Sequence, residues 1–585
     1  MEPNTSTIDS FQLIFNNTCS RSFGKTPYAW QTEVGGSFLL SHYTNVPVKQ
    51  LLVRPTGGGK TLVFNGISAC LKGVTLCISP LLSLGADQTR KVMKLAMNDD
   101  SISAFHIDEM NDLSINHVLR SLKELSPLKT VFLFTSPQCI VRRHCGFFQS
   151  ILRLSLIRFV VVDEIHLVNH FGRTFRDEFG LLKAAFFQKL PVNTPMLFMT
   201  ATCSREIITS IETLFGISIT TRHWPPPSEM ATRNVSFFAH YSSQPLRQVK
   251  KRLRDILSPH NEDINPLPHK AIVYSNSRRR ILKFAESLEE YFDSDDELHK
   301  YDVMTLVGPQ PRDEKAQVTK MLIDDRQQIN QNLDILCATS GVGNAGIDSA
   351  EVRSVSRIDF PPKVSDICQE KGRAGRNNTA TSEFYSYDLF YSLESFILAF
   401  ERIMKNPQTD DTVVDTEYQK QEIKELMQSA KLLLESRTCV NITFELMLGN
   451  PDSNEDQHLE PCGDCQVCLN TCTFQSINKE KTTALLLDLF VVGENRMECT
   501  STVKNVIKSL CTYPDVNMLL FLSKSKRVKP VRIKKLLFSL IASKQMCIKF
   551  DTTNKETVMY LGLSENNVSL LAIQDDVYWN SVSLR

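Results

Sequence analysis

The sequence predicts an α/β protein of several domains built on parallel sheets, and three observations carry that expectation. The first is length: 585 residues exceed what one hydrophobic core serves, and at roughly 100–200 residues per domain the chain divides into about three to five units. The second is Leu51-Leu52-Val53, which reads as a buried strand, followed by a glycine loop and then by "TLVFNGISACLKG", which has helical spacing. The third is "RFVVVDEIHLV" (158–168), a β-branched run suited to a central parallel strand and ending in two carboxylates.

Hydrophobic residues at 42% and charged residues at 22% exclude a largely disordered or fibrous chain. The net charge of +1 neither supports nor excludes nucleic acid, because binding grooves depend on local basic stripes. No charged-then-apolar leader opens the sequence, and no apolar stretch of about 18–20 residues occurs, so neither secretion nor membrane spanning is indicated. The expected location is the nucleus in a eukaryote and the cytoplasm otherwise. Sixteen cysteines then read as buried thiols or metal ligands rather than disulfides.

The glycine loop "RPTGGGKT" (54–61) lies at the strand-to-helix turn, where backbone N–H groups converge on an anion. Gly57, Gly58 and Gly59 let the backbone wrap phosphates without Cβ clashes; Lys60 can reach the outer phosphates, and Thr61 can offer its hydroxyl to Mg²⁺. The strict GxxxxGK[ST] pattern fails at Arg54, but the GGGKT ending is intact. After the 158–162 run, Asp163 and Glu164 face the crevice beyond the strand ends. Asp163 to hold Mg²⁺ and Glu164 to orient the attacking water is the division of labour that phosphoryl hydrolysis needs. Alone, either motif reads as a glycine turn or a solvated acidic pair; together they point to nucleotide hydrolysis.

"CISPLLSLGADQ" (77–88), "FTSPQCI" (134–140) and "FMTATCS" (198–204) follow in order. With RPTGGGKT and DEIH they resemble the first motor domain of the RecQ family of superfamily-two helicases. "KAIVYSNSRRR" (270–280), "DILCATSGVGNAGID" (334–348) and "QEKGRAGRNN" (369–378) resemble the second. The resemblance covers residues 20–475 in round terms and implies two RecA-like lobes, 23–225 and 235–385, after an N-terminal segment 1–22. "RHWPPPSEMATRN" (222–234), with three consecutive prolines, places a linker at 226–234.

The resemblance assigns ATP to Gln31, Thr56, Gly57, Gly58, Gly59, Lys60, Thr61 and Asp348. Within "FGKTPYAWQ" (23–31), Gln31 resembles the residue that reads adenine, and an amide can pair bidentately with a purine edge. Arg373 and Arg376 resemble arginine fingers, a role worth ~10³–10⁵ in rate in other nucleotide hydrolases. An exposed basic turn is their structural alternative.

After DEIH, "HFGRTFRDEF" (170–179) stands where the family carries an aromatic-rich loop coupling DNA contact to hydrolysis. Phe171 and Phe175 can stack on bases and Arg176 can contact phosphate, unless both rings are simply core. The loop departs from the family pattern: Phe171 replaces tryptophan, and Arg173-Thr174 replaces a His-Asp pair. "SGVGNAGID" is one residue longer than usual, and Asn377 replaces a common aspartate.

"EPCGDCQVC" places Cys462, Cys465 and Cys468 at two-residue gaps, so one tight turn can aim three thiolates at a zinc ion. Resemblance to the RecQ zinc subdomain gives Cys439 as the fourth ligand, with Cys472 in reserve, in a helical segment 386–475. "RIKKLLFSLIASKQMCIKFDTTNKETVMYLGLSE" (532–565) reads as an amphipathic helix and two strands, the outline of a winged helix in 476–585. The basic run at 524–535 suits phosphate contact, a nuclear address or a solvated face.

The expectation is therefore an ATP-dependent, 3′-to-5′ DNA helicase using ATP, Mg²⁺ and Zn²⁺ on single strands and duplex junctions, in repair or recombination. Its rivals are a nucleic-acid-binding protein with lost motor activity, and a double-strand translocase or RNA helicase. The sequence names no protein partner.

Overall fold

Both large sheets are wholly parallel, as apolar runs flanked by helical segments require. The structure is a computed structural model that describes residues 5–55, 57–79, 82–96, 99–169, 180–203, 205–226, 234–242, 244–257, 270–294, 301–308, 310–323, 333–340, 349, 351–375, 385–404, 416–435, 439–449, 460–469, 473–477, 500–502, 537–538, 541, 546–551, 558–563 and 577–581. It divides into two compact units, one holding Met1–Thr232 with two short later pieces and the other holding the remainder.

In the first unit lie β1 (Lys49–Val53), β2 (Gly73–Ile78), β3 (Ile102–His106), β4 (Thr130–Thr135), β5 (Ile157–Val162), β6 (Met196–Thr200) and β7 (Thr221–His223). Their order in the sheet is β3-β4-β2-β5-β6-β1-β7. Strand β6 lies between β1 and β5, so the segments that follow these two strands stand on either side of the end of β6, at the carboxyl edge where ligands of such sheets bind.

Helices α1 (Thr5–Phe23), α2 (Ala29–Tyr43) and α3 (Lys60–Leu71) pack together, with Phe15, Cys19 and Phe23 of α1 inside the same core as Phe38, Phe64 and Phe159. A Cβ on Gly35 of α2 would lie 2.4 Å from the Phe15 ring, and one on Gly66 of α3 2.5 Å from the Cys19 sulfur. Those glycines let α1 settle against the other two helices. The described part of the N-terminal segment 1–22 packs into the core of the first unit through Phe15 and Cys19.

The second unit repeats the plan with β8 (Ser236–Tyr241), β9 (Lys270–Ser275), β10 (Tyr301–Leu306), β11 (Leu333–Thr339), β12 (Val352–Arg357) and β13 (Ser386–Tyr391). The order is β10-β11-β9-β12-β13-β8, again all parallel. Strand β8 is an edge whose open backbone groups need cover. Gln466 supplies it: its N–H donates to the Phe237 carbonyl at 3.1 Å, and its Oε1 accepts from the Ala239 N–H at 2.7 Å.

Helices Leu393–Met404 and Thr416–Glu435 flank the aspartate-rich stretch and lead toward the cysteine segment. Near the C-terminus, β14 (Met546–Asp551) and β15 (Val558–Leu563) pair antiparallel, as the two-strand expectation at 532–565 requires. Phe538, just upstream, packs on Phe360 and Phe396 of the second lobe. Among the described residues, no helix is long and apolar enough to cross a membrane.

Candidate nucleotide site and cysteine centre

Lys60 opens α3, and the loop before it adopts left-handed conformations at Gly57 (φ +80°) and Gly59 (φ +87°). A Cβ at Gly59 would stand 2.6 Å from the Gln31 amide nitrogen. Gln31, only 1% exposed, donates from Nε2 to the Gly59 carbonyl at 2.9 Å and accepts the Tyr28 N–H on Oε1 at 2.7 Å. It is thereby a strut between the start of α2 and the phosphate loop, a task that a purine-reading assignment alone does not contain. Arg54, where the strict motif fails, lies with its guanidinium 4.1 Å from the Trp30 ring centre, so the substituted side chain braces the same loop. The Lys60 ammonium donates to the carbonyls of Arg54 at 2.8 Å and Pro55 at 3.2 Å.

Asp163 follows β5, its N–H donating to the Ile78 carbonyl of β2 at 2.9 Å. Burial, reinforced by Glu164, pushes its carboxyl up to about 7, while Lys60 pulls it down. A divalent cation offsets that same penalty on the charged form, so the donor set fits Mg²⁺. Gln88 of "GADQ" brings its Nε2 to 3.4 Å from Asp163.

Glu164 sits at φ +51°, a conformation L residues rarely take, and its carboxylate lies 3.3 Å from His166 Nδ1. His166 is buried, and Nδ1 is also 3.0 Å from the Thr200 hydroxyl oxygen. That hydroxyl spends its proton on the Thr202 carbonyl at 2.7 Å, so it accepts from imidazole and Nδ1 carries the hydrogen. DEIH and the "TAT" turn after β6 are therefore joined by hydrogen bonds. The sequence reading missed His166, Thr200 and Gln88; DEIH and "FMTATCS" were visible as motifs, but nothing local paired them.

In the second unit, the helix Val364–Lys371 runs into Arg373, whose N–H donates to the Glu370 carbonyl at 3.0 Å. Gly375 (φ +68°) is held through its carbonyl by Asn234 at 2.7 Å. Arg373 is 6% exposed, which sets aside the exposed-turn alternative for that residue.

Cys439, Cys462, Cys465 and Cys468 place their sulfurs within 4.8 Å of one another. Neighbouring pairs stand 3.6 and 3.9 Å apart, far beyond a disulfide and close to the ~3.8 Å edge of a tetrahedron with Zn–S bonds of about 2.3 Å. The donor set fits zinc. Lys371, fully buried nearby, donates to Asn441 at 2.7 Å and brings positive charge toward the thiols.

A DEAD/DEAH box helicase model matches residues 43–210, and a helicase conserved C-terminal domain model matches 250–378. The ATP-dependent DNA helicase RecQ of Haemophilus influenzae is 25% identical over 423 residues, covering 72% of this chain and 58% of that protein. The chain belongs to the RecQ family of superfamily-two helicases. A Q-like ATP-dependent DNA helicase of Arabidopsis thaliana is 29% identical over 364 residues, 59% of this chain and 28% of that one. This RecQ-family chain spans little more than half the length of the bacterial relative. A solved DEAD-box helicase bound to single-stranded RNA and UDP-BeF shares the fold at a TM-score of 0.50, with 14% identity, 77% of this chain and 94% of that one.

The RecQ-family lobes thus bring together Gln31, Gly57, Gly58, Gly59, Lys60, Asp163 and Glu164 in one unit and place Arg373 in the other. Thr61 lies on the first turn of α3. Thr56, Phe171, Phe175, Arg176, Asp348, Arg376 and Cys472 lie outside the described residues.

Proposed function

We propose that this chain is an ATP-dependent DNA helicase that displaces one strand of a duplex while moving 3′-to-5′ on the other. The observation that carries this reading is that Lys60 and Glu164 both act electrostatically on the buried Asp163 carboxyl, beside the "TAT" turn that His166 joins to DEIH. Loop N–H groups and Lys60 hold the phosphates, while Thr61 and Asp163 would hold Mg²⁺, which would neutralise phosphate charge. Glu164 orients water on the γ-phosphate, and Arg373 with Arg376 supply positive charge from the second lobe as the lobes close on ATP. Relatives named as DNA helicases support DNA as the track. Strand displacement on forked DNA, forked RNA and blunt duplex, with and without ATP, tests this. Unwinding of RNA alone, or none with ATP turnover intact, overturns it.

We also assign zinc to the four cysteines as a closed structural site. The purified protein should hold one zinc per chain, and Cys465→Ser should release most of it and lower the melting temperature of the C-terminal half. Metal analysis of the wild type showing no zinc would sink this assignment.

Coupling of DNA contact to hydrolysis rests on residues 170–179. Phe175→Ala should cut DNA-stimulated ATP hydrolysis far more than basal hydrolysis. Losing one stacked base costs ~1–3 kcal/mol, so overall DNA affinity, carried largely by phosphate contacts, should fall modestly. Equal loss of both rates with earlier melting would make Phe175 a core residue. A wild type that hydrolyses ATP without DNA stimulation would favour the binding-protein reading, with Phe171, Arg173 and Thr174 as the first suspects.

A further inference from the structure

Arg357, at the end of β12, is entirely buried and belongs to none of the groups assigned above. Its guanidinium spreads over four segments of the second lobe. Nη1 donates to Glu370 Oε1 at 2.5 Å and to the Ser340 hydroxyl at 3.1 Å. Nη2 donates to Asn276 Oδ1 at 2.5 Å, and Nε donates to the Asp359 carbonyl at 3.2 Å. The far oxygen of Glu370 accepts the Tyr387 hydroxyl at 2.8 Å, and Asp359 in turn accepts from Ser275 at 2.6 Å and the Asn276 N–H at 2.7 Å.

Asn276 follows β9, Ser340 follows β11 and Asp359 follows β12, and these are three adjacent strands. The network therefore lies at their carboxyl ends, on the functional edge of the sheet. Glu370 ties the hydrogen-bond network to the helix leading to Arg373, and the Arg373 N–H donates to the Glu370 carbonyl. Stability alone is a weak reason for such a group, since a buried ion pair replaced by apolar residues is often neutral or stabilising. What a planar fork adds is fixed direction.

We propose that Arg357 is a positioning residue: by gripping Glu370 against Asn276 and Ser340, it sets Arg373 for ATP hydrolysis. This rests on the hydrolysis reading above. It acts on turnover and not on nucleotide affinity, because the loop and Lys60 that hold the phosphates belong to the other unit.

The test uses the full chain with Arg357→Lys, Arg357→Met, Glu370→Gln and the double variant Arg357→Met/Glu370→Gln. Melting temperature, binding of a fluorescent ADP analogue, and kcat and KM for DNA-stimulated hydrolysis are measured in each. The single Met and Gln variants leave buried partners unmatched and should melt early; in the double variant only Asp359, 3.3 Å from Arg357 Nη2, still lacks its cation, so melting should recover in part. Turnover should not return with it: kcat in the double variant and in Arg357→Lys should stay about tenfold or more below wild type, with KM and ADP affinity nearly unchanged. Near-wild-type kcat in a folded Arg357→Lys or double variant overturns the inference, as does a kcat that simply tracks melting across the set. A wild type whose ATP hydrolysis is absent, or no greater than that of Lys60→Ala, overturns the functional reading and this inference with it.

Discussion

Lys60→Ala is expected to abolish measurable ATP hydrolysis while leaving the fold in place. Lys60 stands at the first position of α3, and its ammonium contacts the loop carbonyls of Arg54 and Pro55 rather than any core side chain. Its removal takes a positive charge from the loop to which we assign the phosphates. Loss of one such preorganised donor costs ~10²–10³ in kcat elsewhere, and a full ammonium on phosphate belongs at the upper end. Folding should change by less than about 1 kcal/mol, as for a partly exposed polar side chain. DNA affinity, carried by other residues, should largely persist. Hydrolysis assays beside a thermal melt decide this: a variant that no longer folds, or that turns over ATP normally, would remove Lys60 from the phosphate site.

Glu164→Gln should bind Mg-ATP and hydrolyse it very slowly. The amide keeps the size of the side chain, and Asp163 remains to hold the cation, so nucleotide affinity should stay near wild type. What is lost is the carboxylate to which we assign the orienting of water, a role worth ~10²–10⁴ in rate. The left-handed backbone at Glu164 fixes the direction in which its side chain leaves the strand end, and the carboxylate lies 3.3 Å from His166 Nδ1. Equilibrium nucleotide binding and single-turnover hydrolysis separate the two effects. Turnover close to normal would assign the water to another group, while lost Mg-ATP binding would make Glu164 a ligand.

Much of this site was legible in one dimension. Strand β5 announces itself through Phe159-Val160-Val161-Val162, and the carboxylates at its end are adjacent in sequence. The phosphate loop is equally local, since one turn between a strand and a helix contains Gly57, Gly59 and Lys60. Three of the four cysteines share a single turn. In each case the chemistry needs residues a few positions apart, so spacing alone carries it.

The remainder depends on partners distant in the chain. Gln31 meets Gly59 across 28 residues, His166 meets Thr200 across 34, and Arg357 meets Asn276 across 81. No local periodicity specifies such pairs, because they follow from the order in which the strands lie side by side. The packing of α1 is of the same kind, since it depends on the close approach allowed at Gly35 and Gly66, which lie 20 residues and more beyond Phe15. The sequence by itself determined which candidate groups stand together locally, since each motif lies within one turn or at one strand end. Only the tertiary structure decided how those groups are held, because burial and long-range hydrogen bonds exist only once the parallel sheets have been assembled.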